Sequence, residues 1–159
     1  MVNVLFVCMG NICRSPSAQG VFERLLDEYS LSDRVRVDSA GTYGYHTGES
    51  PDRRAIAAAS NRGVDISKQK ARAVNVADFD KFDLILAMDM SNLDVLKQMA
   101  PANCGAKIKL IMDYATTIKI QEVPDPYFGG TQGFEIVLDM IQDASKGLIQ
   151  EVRSMLKSS

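Results

Sequence analysis

The chain has 159 residues, 46% of them hydrophobic and 24% charged, which excludes wholesale disorder and predicts a proper core. Its net charge of −2 gives no general attraction to nucleic acid or to acidic membranes, so we expect neither as a partner. Three cysteines are too few for a secreted disulfide scaffold and no apolar run approaches the ~18 residues of a membrane span, so we expect one cytoplasmic domain over residues 1–159.

The first part of the chain predicts a strand, a helix and a second strand. Val4–Val7 is a continuous apolar run, typical of a strand that is buried on both faces. The turn CMGNICRS (8–15) follows it, and Pro16 suits the first turn of a helix. The alternating sequence RVRVDS (34–39) predicts the second strand.

Four helices and two strands are predicted in the rest of the chain. Ser50 is placed to cap a helix with Pro51 at its first position, and Gly63 is placed to end it. The next elements are a short helix in ADFDKF (77–82), a strand LILAM (84–88), a helix through NLDVLKQMA (92–100) and a strand KIKLIM (107–112). After an irregular stretch, the last helix carries an apolar stripe made of Phe134, Val137, Leu138, Ile141, Leu148, Val152 and Leu156.

Strands that alternate with helices indicate an α/β fold. We predict a single three-layer domain in which helices flank a central four-stranded parallel sheet, flavodoxin-like or Rossmann-like, with strand order 2-1-3-4. In open sheets of this kind, ligands bind beyond the carboxyl ends of the strands. The turn CMGNICRS lies at such an end.

Two interpretations of this turn are weak, and a third leaves one residue unexplained. A zinc site needs about four nitrogen or sulfur ligands, and besides Cys8 and Cys13 only Cys104 and the lone His46 are available. A nucleotide P-loop needs a lysine and a second glycine, and both are missing. A structural turn with buried thiols is a fair alternative, but it leaves Arg14 without an explanation.

An anion cradle accounts for every residue of the turn. A loop that runs into a helix N-terminus directs several backbone N–H groups at one point, and Arg14 adds a planar fork for two phosphate oxygens. Gly10 permits unusual backbone angles, and Asn11 tolerates the left-handed region. The positive field favours a nucleophilic thiolate at Cys8, to which Ser15 can donate a hydrogen bond.

The sequence VCMGNICRSP, residues 7–16, strongly resembles the signature of the low-molecular-weight protein tyrosine phosphatases. The similarity extends over nearly the whole chain. It includes DSAG (38–41), YHTG (45–48), PDRRA (51–55), KAR (70–72), FDLILAMDMSNL (82–93) and DPYFGG (125–130).

The resemblance implies a mechanism. Composition alone would make Asp125, between two prolines, a turn residue, but the family's general acid occupies this position. The resemblance thus implies that Cys8 attacks phosphorus to form a phosphocysteine while Asp125 protonates the phenol, and that Asp125 then activates water. Arg14 and the amides of the loop, contributed by Met9, Gly10, Asn11, Ile12, Cys13, Arg14 and Ser15, bind the phosphate.

The resemblance also assigns residues around this centre. Met9, Tyr45 and Tyr127 form a substrate slot that is too deep for phosphoserine, although aromatic residues that merely pack a loop remain an alternative. Asn11, Ser39 and Gln69 support the loop, with Gln69 making the hydrogen bond to the loop asparagine that many relatives make with a histidine. His46 is then interpreted as a loop residue.

The residues Cys13 and Phe128 concern possible modes of regulation. Cys13 is the redox partner that the resemblance implies for Cys8, through a reversible disulfide. Cys104 is interpreted as a small hydrophobe. Phe128 stands where many relatives carry a second, phosphorylatable tyrosine, so that mode of regulation is not expected.

Several alternatives stay open at this point. Protein arginine phosphatases resemble the chain but carry threonine where this sequence has Ile12, and arsenate reductases of this fold need a cysteine pair that is missing after the third strand. A phosphate-binding module without turnover would need neither Cys8 nor Asp125. The expected partners are tyrosine-phosphorylated proteins, with inorganic phosphate and other oxyanions as inhibitors, and no metal or cofactor is expected.

Overall fold

Four parallel strands form the centre of the computed structural model, which describes residues 1–158. The strands are β1 (Val2–Cys8), β2 (Val35–Gly41), β3 (Leu84–Ala87) and β4 (Lys107–Leu110). The helices are α1 (Arg14–Glu28), α2 (Arg53–Asn61), α3 (Asp78–Lys81), α4 (Met90–Met99) and α5 (Thr131–Ser158), and a 3₁₀ turn spans Ile111–Tyr114. No helix in this described part of the chain is long and apolar enough to cross a membrane.

The sheet order is β2-β1-β3-β4, which confirms the predicted α/β fold and its strand order 2-1-3-4. Alternate side chains of β1 face opposite sides of the sheet, and both sides are buried. Val4 and Phe6 pack in the core under α1, α2 and α5, whereas Leu5 and Val7 pack in a second core with the residues of α3 and α4. The helices therefore lie in two layers, one on each face of the sheet.

The start of α2 differs from the prediction. The helix begins at Arg53, and Asp52 caps it by accepting a hydrogen bond from the amide of Arg54, so Ser50 and Pro51 lie outside the helix. The physical reason is a tertiary contact, because the Asp52 amide donates to the carbonyl of Ile12 at 2.8 Å. That bond holds Asp52 in an extended conformation, with ψ 136°, against the turn that follows β1.

The fourth strand is also shorter than predicted. It ends at Leu110, and Ile111 and Met112 enter the 3₁₀ turn instead of continuing the strand to residue 112. The carboxylate of Asp113 accepts a hydrogen bond from the Leu110 amide at 3.2 Å, which stabilises this turn. Both side chains remain buried, which explains why their apolar character resembles that of a strand.

Asp143 on α5 anchors the irregular chain that follows the 3₁₀ turn. Its buried carboxylate accepts hydrogen bonds from the Thr116 hydroxyl at 2.6 Å, the Thr117 amide at 3.1 Å and the Ile118 amide at 2.9 Å. Burial acts against the charged form, but these hydrogen bonds outweigh it and hold the pKa of Asp143 below its usual value. The segment that leads towards Asp125 is thereby fixed to the last helix.

We expect Asp143→Asn to lower the free energy of unfolding at pH 7 by about 1.5–3 kcal/mol, the value of a hydrogen bond to a charged group. Because the folded pKa is lowered, the contribution is present at neutral pH and is lost as the pH falls below the usual value of 3.8. Urea unfolding from pH 7 down to acid checks both points. The exposed Asp94→Asn on α4 is the control, and a deficit that does not shrink in acid would contradict the assignment.

Candidate active site

The turn between β1 and α1 wraps around the sulfur of Cys8. Asn11 lies in the left-handed region with φ 58°, as predicted, and its amide donates to Cys8 Sγ at 3.3 Å. Gly10 does not have the unusual backbone angle predicted for it. A residue without a side chain fits here for a different reason, since a Cβ at this position would lie 3.1 Å from Cδ2 of His46.

The Asn11 side chain is the centre of a buried hydrogen-bond network. Its Nδ2 donates to Ser15 Oγ at 2.9 Å and to Ser39 Oγ at 3.0 Å, and its Oδ1 accepts from the Arg72 amide at 3.0 Å. Sequence reasoning did not identify Arg72. Its guanidinium is itself held by Asp38 and Asp78, so the loop is tied to β2 and α3.

Gln69 does not contact Asn11, contrary to the prediction. Its Oε1 lies 3.5 Å from Ser39 Oγ, and its Nε2 donates to the carbonyl of Pro16 at 3.0 Å. Asn11 makes its side-chain hydrogen bonds to Ser15, Ser39 and the Arg72 amide instead. The Ser39 hydroxyl has a closer acceptor in Gln19 Oε1, at 2.8 Å, so the firm contact of Gln69 is the one with the Pro16 carbonyl at the start of α1.

Cys8 is buried at the carboxyl end of β1, with its Sγ 3.0 Å from Ser15 Oγ. Ser15 accepts a hydrogen bond from Asn11, so its own hydroxyl proton is free to point elsewhere. The sulfur is a closer acceptor for that proton than the Ala40 carbonyl at 3.4 Å. The serine hydroxyl thus lies within hydrogen-bonding distance of the sulfur.

The guanidinium of Arg14 is buried and has partners that sequence reasoning missed. Its Nη1 donates to Asp89 Oδ2 at 2.7 Å and to the carbonyl of Val123 at 3.0 Å, and its Nη2 lies 3.8 Å from Asp125 Oδ2. Burial alone would lower the pKa of Arg14, but the Cys8 sulfur, the hydrogen bond to Asp89 and the charge of Asp125 raise it instead. A permanent positive charge is therefore fixed beside Cys8.

Asp89 reaches the site because it follows β3, the neighbour of β1. Its second oxygen caps α4 by accepting from the Asn92 amide at 2.8 Å. The available signal was a carboxylate directly after a buried strand, at the sheet edge where parallel α/β folds bind ligands.

Asp125 lies at the mouth of the site between Pro124 and Pro126, with its side chain 37% exposed. One oxygen faces Arg14, and the other accepts a hydrogen bond from the Tyr127 amide at 3.0 Å. A carboxyl group that touches both solvent and the buried arginine is suited to exchange a proton with a bound group.

A cavity of about 280 Å³ opens above Cys8. Its lining contains Cys8, Met9, Gly10, Ile12, Cys13, Arg14, Tyr45, His46, Asp125, Tyr127 and Phe128. Met9, Tyr45 and Tyr127, which the resemblance assigned to the slot, thus meet at one opening. His46 and Phe128 join them although sequence reasoning gave them no part in it, and two edge-to-face ring pairs, Tyr45–His46 and Tyr127–Phe128, flank the opening.

The floor of the cavity is suited to an oxyanion. Within residues 1–158, the amides of Ile12, Cys13, Arg14 and Ser15 donate no hydrogen bond to another protein group, and α1 begins without a side-chain cap. Cys13 itself is a neutral thiol at neutral pH, because burial and the charges of Asp52, Cys8 and Asp125 raise its pKa far above the usual value.

Comparison with known proteins gives a consistent result. A family described as low molecular weight phosphotyrosine protein phosphatase matches residues 3–158. A Streptomyces coelicolor protein described as a low molecular weight protein-tyrosine-phosphatase is 40% identical over 157 residues, which are 97% of this chain and 95% of that protein.

Two solved structures are close in fold. A protein tyrosine phosphatase from Entamoeba histolytica, with Hepes in its active site, has a TM-score of 0.94 and 40% identity, covering 97% of this chain and 98% of that one. A Drosophila arginine phosphatase has a TM-score of 0.88 and 33% identity, covering 94% of this chain and 96% of that one.

We expect Asn11→Ala and Asn11→Gly to weaken the binding of inorganic phosphate by about tenfold or more, because both remove the side chain that holds the loop amides in place. Glycine accepts the left-handed backbone, so only the alanine variant loses a further ~1 kcal/mol of stability through strain. Calorimetric titration and urea unfolding separate the two effects. Undiminished phosphate affinity in Asn11→Gly would show that the side-chain network does not shape the site.

Proposed function

The chain belongs to the family of low molecular weight phosphotyrosine protein phosphatases, and on that basis we propose that it hydrolyses phosphotyrosine in proteins through a phosphocysteine intermediate. The observation that carries the proposal is the convergence of three groups on one cavity. Cys8 lies at its floor, Arg14 beside the sulfur and Asp125 at its mouth. These groups come from two segments of the chain that are more than a hundred residues apart in sequence.

In the first step, the Cys8 thiolate attacks phosphorus and an S–P bond forms while the bond to the tyrosine oxygen breaks. Asp125 transfers its proton to that oxygen, so a neutral phenol departs rather than a phenolate. The three equatorial phosphate oxygens face Arg14 and the unpaired amides of the loop, which stabilise the charge in the transition state.

In the second step, Asp125, now ionised, accepts a proton from a water molecule that attacks phosphorus. The S–P bond breaks, inorganic phosphate forms, and the sulfur leaves as a thiolate. The Ser15 hydroxyl, 3.0 Å from Sγ, stabilises that thiolate by donating a hydrogen bond. Inorganic phosphate and similar oxyanions are accordingly expected to inhibit the enzyme.

The shape of the cavity favours an aryl phosphate over an alkyl one. Cys8 is only 3% exposed, whereas Tyr45 is 84% exposed at the rim, so a substrate must extend inwards to reach the sulfur. The aromatic ring of phosphotyrosine has this length and packs against Tyr45 and Tyr127. A phosphoserine side chain is too short to span the same depth.

Arginine phosphatase activity is the second candidate, because the Drosophila arginine phosphatase has nearly the same fold. Ile12 argues against it. The residue is 8% exposed and lines the cavity, where it removes both the space and the polarity that a threonine would provide for a phosphoguanidine. Arsenate reduction lacks the required cysteine pair, since Cys104 is the only further cysteine in the sequence.

The Cys8–Cys13 disulfide remains a prediction. An oxidant such as peroxide would convert Cys8 to a sulfenic acid, and attack by Cys13 sulfur would form the disulfide and release water. Because the pKa of Cys13 is raised by burial, the attacking thiolate is scarce at neutral pH. We therefore expect this condensation to be slow and to accelerate with rising pH.

We expect Asp125→Ala to lower kcat/KM about 10²–10⁴-fold for phenyl phosphate, whose leaving group needs a proton, and much less for dinitrophenyl phosphate, whose leaving group does not. Cys8→Ser is the companion variant, which should bind phosphate but show no turnover. Steady-state kinetics on the two esters test whether Asp125 protonates the leaving group. Equal losses on both would exclude Asp125 as the acid, and turnover by Cys8→Ser would exclude the phosphocysteine.

We expect Ile12→Thr to lower the ratio of kcat/KM for phosphotyrosine to that for phosphoarginine by about tenfold or more, because a small polar side chain replaces an apolar one at the floor. Ile136→Thr, on the exposed side of α5, is the matched control. Both substrates are assayed with each protein. A parental enzyme that prefers phosphoarginine would overturn the proposed substrate class.

A further inference from the structure

Arg54, at the start of α2, binds the loop that carries Asp125. This loop precedes α5 and spans residues 122–130, and we call it the acid loop. Its Nη2 donates to the carbonyl of Tyr127 at 2.8 Å and its Nη1 donates to the carbonyl of Gly129 at 3.2 Å. Within residues 1–158, these are the two hydrogen bonds that join residues 125–129 to the rest of the protein. The guanidinium also lies over the rings of Tyr127 and Phe134, at 5.7 and 4.8 Å from their centroids.

Asp52 holds Arg54 in this position. Its Oδ1 accepts from Nε at 3.1 Å and its Oδ2 accepts from Nη2 at 2.9 Å. The amide of Asp52 donates to the carbonyl of Ile12. Ile12 belongs to the turn of residues 8–15, which we call the phosphate loop. The hydrogen bonds from Arg54 lower the pKa of Asp52, which therefore stays ionised at neutral pH. The Asp52–Arg54 pair thus connects the phosphate loop to the acid loop.

The other end of the acid loop is already fixed by different contacts. The Val123 amide donates to the carbonyl of Met88 at 2.9 Å, and Glu122 Oε2 accepts from the Met90 amide at 2.7 Å. Asp125 therefore lies between an anchor on β3 and α4 and an anchor made by Arg54. Removal of Arg54 would take away both of its hydrogen bonds to the loop and leave the 3.8 Å ion pair between Asp125 and Arg14.

Arg54 is not placed to bind phosphate. Its donors face Asp52 and the two loop carbonyls, and it is absent from the cavity lining around Cys8. A lysine could replace it only in part, because a single ammonium cannot present the fork that contacts a carboxylate and two carbonyls together.

We propose that Arg54 is a positioning residue for the general acid, which holds the loop after Asp125 against the phosphate loop so that the carboxyl group stays within reach of the leaving oxygen. The inference rests on the proposed function and adds a role to it. The two arginines then have separate tasks. Arg14 stabilises the phosphate, and Arg54 positions the proton donor.

The test is the leaving-group dependence of Arg54→Ala. We expect kcat/KM to fall about 10- to 100-fold for phenyl phosphate, the loss typical of a catalytic group displaced by about 1 Å, and less than about threefold for dinitrophenyl phosphate. Inhibition by inorganic phosphate should be unchanged. Adding Arg54→Ala to Asp125→Ala should cost nothing further, because the two residues serve the same proton transfer.

Two variants keep the test independent of folding. Arg53→Ala makes the same change one residue earlier on α2, at an exposed side chain, and should retain parental kinetics. Arg54→Lys keeps the charge but not the fork, so we expect it to recover only part of the loss. Circular dichroism and thermal unfolding identify any variant that fails to fold, in which case Arg54→Gln, which keeps a donor, takes its place.

The outcomes are distinguishable. Equal losses on both esters, weaker phosphate inhibition in proportion to the loss, or full recovery with Arg54→Lys would each overturn the positioning role and indicate a general electrostatic one. If Asp125→Ala itself shows no leaving-group dependence, the proposed general acid fails first. If Asp125→Ala shows it and Arg54→Ala does not, only the role of Arg54 fails.

Discussion

Asn11 holds the loop after β1 in a left-handed turn, and the site takes its shape from the hydrogen bonds of that one side chain. Its amide group is bonded to Ser15, Ser39 and the backbone of Arg72, so the loop cannot relax into an ordinary turn. A backbone curled in this way directs its free amides inwards, and such a concentration of donors favours an anion. The sulfur of Cys8 lies at the centre of the same curl, 3.3 Å from the Asn11 amide.

The charge of Arg14 follows from the same geometry. The side chain of Arg14 is 3% exposed, so its donors need acceptors, and Asp89, Val123 and Asp125 supply them from elements that meet the loop at the edge of the sheet. Positive charge is therefore fixed before any substrate arrives. Beyond Asp125, the acid loop has no comparable contact with a buried charged group in the described part of the chain. The Asp52–Arg54 pair holds this part of the loop instead.

The features that could be predicted from sequence are those that neighbouring residues determine. The strand–turn–helix unit and the left-handed Asn11 follow from local patterns. The sheet order came with the predicted fold type instead, and Asp125 was assigned only through resemblance, since an aspartate between prolines is otherwise a turn residue. Asp89, Arg72 and Arg54 were missed because their roles arise from contacts with distant segments, as the 75-residue separation of Arg14 and Asp89 illustrates. The start of α2 was wrong for the same reason, because a bond to Ile12 outweighs the local capping signal.

The central claim is that a phosphoryl group passes through Cys8. The most direct measurement is rapid quenching of the Asp125→Ala variant during turnover of dinitrophenyl phosphate, whose leaving group needs no proton, followed by peptide mapping of the phosphorylated residue. Without its base, this variant should accumulate the intermediate, and we expect one phosphoryl group per chain on Cys8, in the peptide that contains Arg14. A phosphoryl group on another residue, or a burst of phenol without any phosphoenzyme, would contradict it.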